Sequence, residues 1–242
     1  MTMKTTTMFR RPLQAVACAA VLAVAGAPVA AAALEPFTAD YSASYMGMQA
    51  TGRMTLAPAG GDRWKYSLEV NGAGARLAQS TVFEVEGDRW RPLSGNDSQG
   101  GESGLAAMLV KKRSVNANYD WASGQATWDG DVKDDRRGPV KLREGDLDGM
   151  LLNLALVRDF KAGGDLSYRL VEDGRVRRRV FEPAGSEQVT VAGKTHKATK
   201  VAWTDEDRSI TAWIVDGLPV PARILQQRDG RDHIDLKLQS LN

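Results

Sequence analysis

Apolar and polar residues alternate with a period of two along most of this chain, and such alternation predicts β-strands with one buried face. In the first run the apolar positions are Phe37, Ala39, Tyr41, Ala43 and Tyr45. Similar runs recur at intervals of about 8–12 residues, separated by turns such as Asp173-Gly174 and Asp229-Gly230. We therefore predict a mainly β fold, a curved antiparallel sheet, barrel or half-barrel of about 10–13 strands.

One segment departs from the strand period and predicts a single helix near residues 148–159. Its main apolar stripe has helical spacing and consists of Leu147, Met150, Leu151, Leu154 and Val157. A second apolar face is formed by Leu152, Ala155 and Leu156. Asp146 or Asp148 can cap the first turn. Because the helix is apolar on most sides, we expect it to be buried against the concave face or in the mouth of the curved sheet.

Two polar stretches are predicted to be loops. Residues 94–104 contain four glycines and three serines, and residues 129–138 are mostly charged. We expect one β-rich domain over residues 34–242, built as two meanders that are joined through residues 129–160.

The first 33 residues have the organisation of a secretory signal peptide. Lys4, Arg10 and Arg11 form a positive region, residues 13–27 are apolar with one exception, and residues 30–33 are alanines suited to a cleavage site. We predict cleavage near residue 33, a periplasmic location, and no transmembrane span after cleavage.

Removal of residues 1–33 changes the charge and cysteine content of the protein. The remaining 209 residues carry 29 basic and 30 acidic side chains, so charge gives no reason to expect nucleic-acid binding. The single cysteine, Cys18, lies in the removed segment, which predicts a mature protein without a disulfide or a thiol nucleophile.

Clusters of chemically active residues are few. His196 and His233 are the two histidines, and neither has another histidine at metal-ligand spacing. The densest acidic cluster lacks the final glutamate of a calcium loop, so we interpret it as solvated; it consists of Asp129, Asp131, Asp134 and Asp135. The densest basic cluster is interpreted as a salt-bridged strand; it consists of Arg175, Arg177, Arg178 and Arg179. We predict no metal, no cofactor and no catalytic residues.

Four apolar residues are candidates for contact with a ligand. Most of the six tryptophans fit the buried strand faces, but Trp213 is out of phase with its neighbours Ala212 and Ile214 and is expected to face a groove or the other side of the sheet. Together with the helix stripe, this makes the candidate ligand-binding set Met150, Leu151, Leu154 and Trp213.

The order of these features resembles a family of exported bacterial proteins, domain-of-unknown-function 3108. The resemblance lies in the opening strands FTADYSASYMGMQATGRM, the YDW strand, the helix DLDGMLLNLALVRDF, and the closing strands ITAWIVDGLPVPARI and HIDLKLQSL. It implies an exported, mainly β protein of unknown activity, and it implies no active-site residues. The architecture is also similar to the open β-barrels of periplasmic lipoprotein-carrier proteins, which is an analogy of fold alone.

Three functions are compatible with the sequence. The first is a non-enzymatic binding or carrier module whose concave face takes a lipid, another apolar ligand or an envelope component. The second is a structural or assembly factor whose barrel is filled by its own side chains. The third is an envelope glycan enzyme that uses paired carboxylates, with Asp146 and Asp148 or the acidic cluster as candidates. A hollow or a filled interior around Leu151 distinguishes the first function from the second.

Overall fold

The computed structural model describes residues 34–45, 47–72, 74–87, 89–102 and 110–242. The predicted signal peptide, residues 1–33, lies outside these ranges. Within them no helix has the length and apolar character needed to span a membrane.

The first half of the described chain consists of eight strands. They are β1 (Phe37–Tyr45), β2 (Met48–Pro58), β3 (Arg63–Gly72), β4 (Ala75–Glu86), β5 (Arg89–Gly101), β6 (Arg113–Asp120), β7 (Gln125–Gly130) and β8 (Val140–Lys141), with a 3-10 helix at Asp134–Arg136 between β7 and β8.

Helix α1 (Leu151–Lys161) separates these strands from the second half. The later strands are β9 (Ser167–Glu172), β10 (Arg175–Val180), β11 (Glu182–Val191), β12 (Lys194–Asp205), β13 (Arg208–Val215), β14 (Arg223–Arg228) and β15 (Arg231–Leu241).

Thirteen strands form one antiparallel sheet in the order β11-β12-β13-β14-β15-β1-β2-β3-β4-β5-β6-β7-β8. Each meander is sequential, and the two meanders meet where β1 pairs with β15. Thr38 and Asn242 close this junction with reciprocal backbone hydrogen bonds of 2.8 and 2.9 Å. The edge strands β8 and β11 do not pair with each other, so the sheet is open. The predicted fold class, a large antiparallel sheet with one buried helix, is confirmed.

The period-two pattern of β1 places its apolar side chains on the core face. Phe37, Ala39, Tyr41 and Ala43 are all buried. The Tyr41 hydroxyl donates a hydrogen bond to the carbonyl oxygen of Pro221 at 2.9 Å, which satisfies its only polar group inside the core. The opening strand is thus tied to the segment between β13 and β14 as well as to β15.

Helix α1 begins at Leu151, later than the sequence pattern predicts. The Asp148 carboxylate accepts the backbone N–H of Leu151 at 2.9 Å, so this aspartate satisfies a donor of the first turn without being helical itself. Six helix residues are buried: Leu151, Leu152, Leu154, Ala155, Leu156 and Val157. The prediction of a helix that is buried on more than one side is therefore confirmed.

The loop predicted for residues 94–104 is wrong over most of its length. Residues 94–101 belong to β5, which pairs with β4 on one side and with β6 on the other. Small residues are favoured there by close packing: a Cβ atom on Gly95 would lie 3.5 Å from the Ala117 Cβ and 3.8 Å from an Asp148 carboxylate oxygen. Glycine in this strand makes room for a neighbouring side chain. Composition alone does not distinguish such a glycine from one that forms a turn.

Strands β9 and β10 form a separate two-stranded sheet. Their turn is Asp173-Gly174, as the sequence predicts, and both residues have positive φ, 50° and 67°. A Cβ atom on Gly174 would lie 2.1 Å from the Arg136 carbonyl oxygen, so glycine is required there. Leu147 bridges to Leu170, which fixes this hairpin beside the start of the helix.

Candidate functional site

A cavity of about 440 Å³ lies between helix α1 and the inner face of the main sheet. Its volume is within the range of about 300–1,000 Å³ that is usual for small-molecule sites. The walls come from both meanders, β1–β4 and β13–β15, and most wall side chains are apolar. Representative wall residues are Met54, Leu68, Leu156, Ile224 and Leu236. The interior of the curved sheet is therefore hollow beside the helix.

Exposed side chains line the cavity at the end that lies next to the β1–β2 and β3–β4 turns. Met48 lines it with 48 % of its surface exposed. Arg76 and Lys111, both exposed, line the same end. We call this end the mouth, defined by Met48, Arg76 and Lys111.

The candidate ligand-binding residues occupy different positions relative to the cavity. Met150 lines the cavity. Leu151 and Leu154 are buried in the hydrophobic core and are not among the lining residues. The helix instead contributes Leu152, Asn153 and Leu156. These three residues lie on or next to the second apolar face of the helix. The sequence pattern contains this face, but the main stripe is the stronger signal.

Trp213 lies on the side of β13 that is turned away from the cavity. Its neighbour Ala212 lines the cavity, and side chains alternate between the two faces of a strand. The Trp213 indole N–H donates to the Glu187 carboxylate at 3.0 Å, and the Arg223 guanidinium packs over the ring at 4.5 Å. Trp213 is nonetheless buried. As expected, its side chain lies on the opposite face of β13 from Ala212, and there it packs between β11, β13 and β14.

A small polar cluster borders the cavity on the helix side. Arg179 lines the cavity, packs over the Trp203 ring at 4.9 Å and donates to the Glu172 carboxylate at 3.0 Å. Arg177 donates to the same carboxylate oxygen at 2.8 Å. Burial lowers the pKa of Arg179, while the Glu172 charge opposes that change. The arginine-rich strand β10 therefore forms the ion pairs that the sequence predicts and also supplies a cation to the cavity wall.

Asp148 is a buried carboxyl next to this cluster. It accepts a hydrogen bond from the Thr81 hydroxyl as well as from the Leu151 N–H. Burial raises the pKa of Asp148 to about 6, against the lowering effect of these two donors. The adjacent Gly149 lines the cavity, and a Cβ atom there would lie 2.4 Å from a Glu172 carboxylate oxygen. A side chain at position 149 would therefore press on the Glu172 ion pairs.

The carboxylates proposed as an enzymatic pair have separate structural partners. Asp146, which is 1 % exposed, forms an ion pair with Arg169 and accepts the Arg143 N–H at 2.8 Å. Asp148 is occupied with Thr81 and with the first turn of the helix. Their observed contacts hold loops and the helix start in place.

The acidic cluster of residues 129–135 is dispersed among local partners. Asp129 accepts from the Asn116 amide, Asp131 accepts from the Ser114 N–H, and Asp134 pairs with Arg137. In the part of the chain that the structure describes, no group of three or more His, Cys, Asp or Glu residues could hold a metal ion.

Neither histidine is among the described residues that line the cavity, but His233 contacts one that is. His233 packs edge-on against Tyr45, with ring centroids 5.3 Å apart, and is half-buried. Tyr45 lines the cavity, so this aromatic pair supports its wall near the mouth.

Solved structures with a similar course of the chain include three from bacterial proteins. The MucA/MucB complex of Pseudomonas aeruginosa aligns at 14 % identity and a TM-score of 0.38, and a crystal structure of MucB aligns at 14 % identity and 0.35. Each alignment covers 86 % of this chain, and the chain spans about half the length of those two, 51 % and 52 %.

The third is a β-barrel-like protein of domain of unknown function DUF1849 from Brucella abortus. It aligns at 13 % identity and a TM-score of 0.44, covering 86 % of this chain and 97 % of that one. No curated protein sequence matches the chain significantly. The sequence profile of a protein family described as "Protein of unknown function (DUF3108)" matches residues 40–231, and the chain therefore belongs to that family, as its sequence motifs predicted.

Proposed function

We propose that the protein is exported to the periplasm and there binds an apolar small molecule, as a non-enzymatic carrier or binding module. The observation that supports this most strongly is the cavity of about 440 Å³ with mainly apolar walls. Apolar cavities of this size bind apolar molecules because little water is held favourably inside them.

The position of the cavity also supports a binding role. Helix α1 is packed by its main stripe into the core, and its second face, including Leu152 and Leu156, lines the cavity. A structural barrel would use both faces of such a helix to fill its interior. The mouth gives a ligand a route from solvent.

The test uses the uncharged dye N-phenyl-1-naphthylamine, whose fluorescence rises in apolar surroundings. We expect saturable binding to the processed protein, and displacement of the dye by lipid extracted from bacterial envelopes. Absence of dye binding would favour a structural or assembly factor and would contradict the carrier proposal.

A cavity-filling variant localises the binding. Ala43 is buried and lines the cavity, so Ala43→Phe should abolish dye binding by occupying the space. Ala50→Phe places the ring at a partly buried wall position and serves as the second variant if Ala43→Phe is unstable. The matched control is Ala59→Phe, an exposed position beyond the end of β2, which should leave binding unchanged.

A further inference from the structure

The described residues that line the cavity carry charges of one sign. Among the described residues that line the cavity, the charged ones are Arg76, Lys111 and Arg179, and none is acidic. The mature chain as a whole is nearly neutral, so the excess of basic residues on the cavity wall does not follow from the overall composition.

The two cations at the mouth are weakly neutralised. Arg76 pairs with Glu69 at 3.0 Å, but both side chains are about half exposed, so water screens the pair. Lys111 forms no ion pair or hydrogen bond with any other described residue. Glu102 is the other acid near this end, held there by its N–H bond to the Gly74 carbonyl oxygen, and its side chain is not part of the wall.

The third cation keeps part of its charge available as well. Arg177 and Arg179 both pair with the Glu172 carboxylate, and Arg177 also lies 4.0 Å from the Asp173 carboxylate, so Arg179 shares its acidic partner with a second cation. The Arg179 Nε atom is buried without a hydrogen-bond partner within the described chain. A ligand made of apolar groups alone offers these cations no partner, whereas an anionic group can pair with those at the mouth.

From this arrangement we propose that the ligand is an anionic amphiphile, with its acyl chain inside the cavity and its carboxylate or phosphate head at the mouth, beside Arg76 and Lys111. The inference rests on the proposed function and specifies its ligand class. The apolar walls beyond the mouth receive the chain, and the exposed cations meet the head where it stays hydrated. A cationic head is repelled at the same place.

The test compares four amphiphiles with the same twelve-carbon chain for displacement of N-phenyl-1-naphthylamine: dodecanoate, dodecyl phosphate, dodecanol and dodecyltrimethylammonium. We expect the two anions to displace the dye at concentrations about tenfold lower than the cation, and we expect 0.5 M salt to narrow that difference because the mouth is exposed. A difference between dodecanoate and dodecyl phosphate identifies the preferred head.

Variants test where the head lies. Lys111→Gln and Arg76→Gln should each reduce the preference for the anions several-fold, whereas Lys65→Gln, at an exposed position outside the cavity, should leave it unchanged. Arg179→Gln tests the opposite orientation, with Arg179→Lys as its charge-preserving partner. An unchanged preference in both mouth variants would overturn the proposed orientation.

The outcomes separate the two proposals. If the dye binds and all four amphiphiles displace it equally, the anionic ligand class is wrong and the carrier function stands. If neither the dye nor any amphiphile binds, both are wrong.

Discussion

The carboxyl group of Asp148 connects the helix to the sheet from a position that is closed to water. Because burial raises its pKa to about 6, the folded state holds a proton that the unfolded state, with a pKa near 3.8, has already released at intermediate pH. The contribution of Asp148 to stability is therefore greatest below pH 4 and is lost as the pH rises through 6.

Asp148→Asn removes this titration and keeps an oxygen that can accept the Leu151 N–H. We expect the free energy of unfolding of the parent protein, relative to this variant, to fall by about 3 kcal/mol at most between pH 4 and pH 7. Urea unfolding at a series of pH values measures it.

Asp120→Asn is the matched control for this measurement. The Ser123 side chain and backbone hold the pKa of Asp120 below its usual value, so its contribution should change in the opposite direction, increasing as the pH rises. A relative stability that does not vary with pH for Asp148→Asn would contradict the raised pKa.

Helix α1 depends on side chains that never meet the cavity. Leu151 and Leu154 are buried in the core, so Leu151→Ala and Leu154→Ala should each lower the free energy of unfolding by about 2–5 kcal/mol. Leu154→Met conserves volume and should cost less than about 1.5 kcal/mol. Chemical denaturation measures all three, and a cost near zero for both alanine variants would contradict the packing described for the helix.

The second face of the helix should respond differently. Leu156 lines the cavity, so Leu156→Ala enlarges it and should alter the affinity for the dye, whereas Leu154→Met should not. Titration of the two variants with N-phenyl-1-naphthylamine compares them. Equal affinities in both would indicate that the dye binds elsewhere.

The sequence predicts the strands and the helix, but it does not predict all of the contacts that they make. Period-two alternation predicted the strands and helical spacing predicted the helix, because burial on one face leaves a regular pattern. The pattern predicts which residues are buried but does not predict which other residues they contact. For this reason Leu151 and Leu154 were candidates for the site, whereas Leu152 and Leu156 line the cavity. The composition of β5 predicts a loop because its glycines make room for side chains such as Asp148, which are distant in sequence. The sequence also does not predict that basic residues line the cavity, since Arg76, Lys111 and Arg179 are widely separated along the chain.

At the scale of the whole molecule, we expect the predicted signal peptide to direct the protein to the periplasm. We expect mass spectrometry of the protein from a periplasmic fraction to show the loss of about 33 residues. An intact N-terminus in the cytoplasmic fraction would contradict export.

The mature fold should also be independent of metal and of disulfides. Its acidic residues pair with local donors such as Asn116, Ser114 and Arg137, and the one cysteine lies in the predicted signal peptide. We expect the same Tm in the presence of a chelator or a reductant. A drop of several degrees with the chelator would identify a metal site in the acidic cluster.

The pairing of β1 with β15 affects the order in which the molecule folds. It joins residues about 200 positions apart, as in the Ser240–Asp40 hydrogen bond, whereas the other strand pairs of the sheet are local hairpins. Contacts between distant segments form slowly because a long loop of chain must close first. Both meanders contribute walls to the cavity, so the cavity is complete only after β1 and β15 have paired. The ligand that we propose should therefore stabilise only molecules in which the two meanders have joined, and its binding should follow the last step of folding.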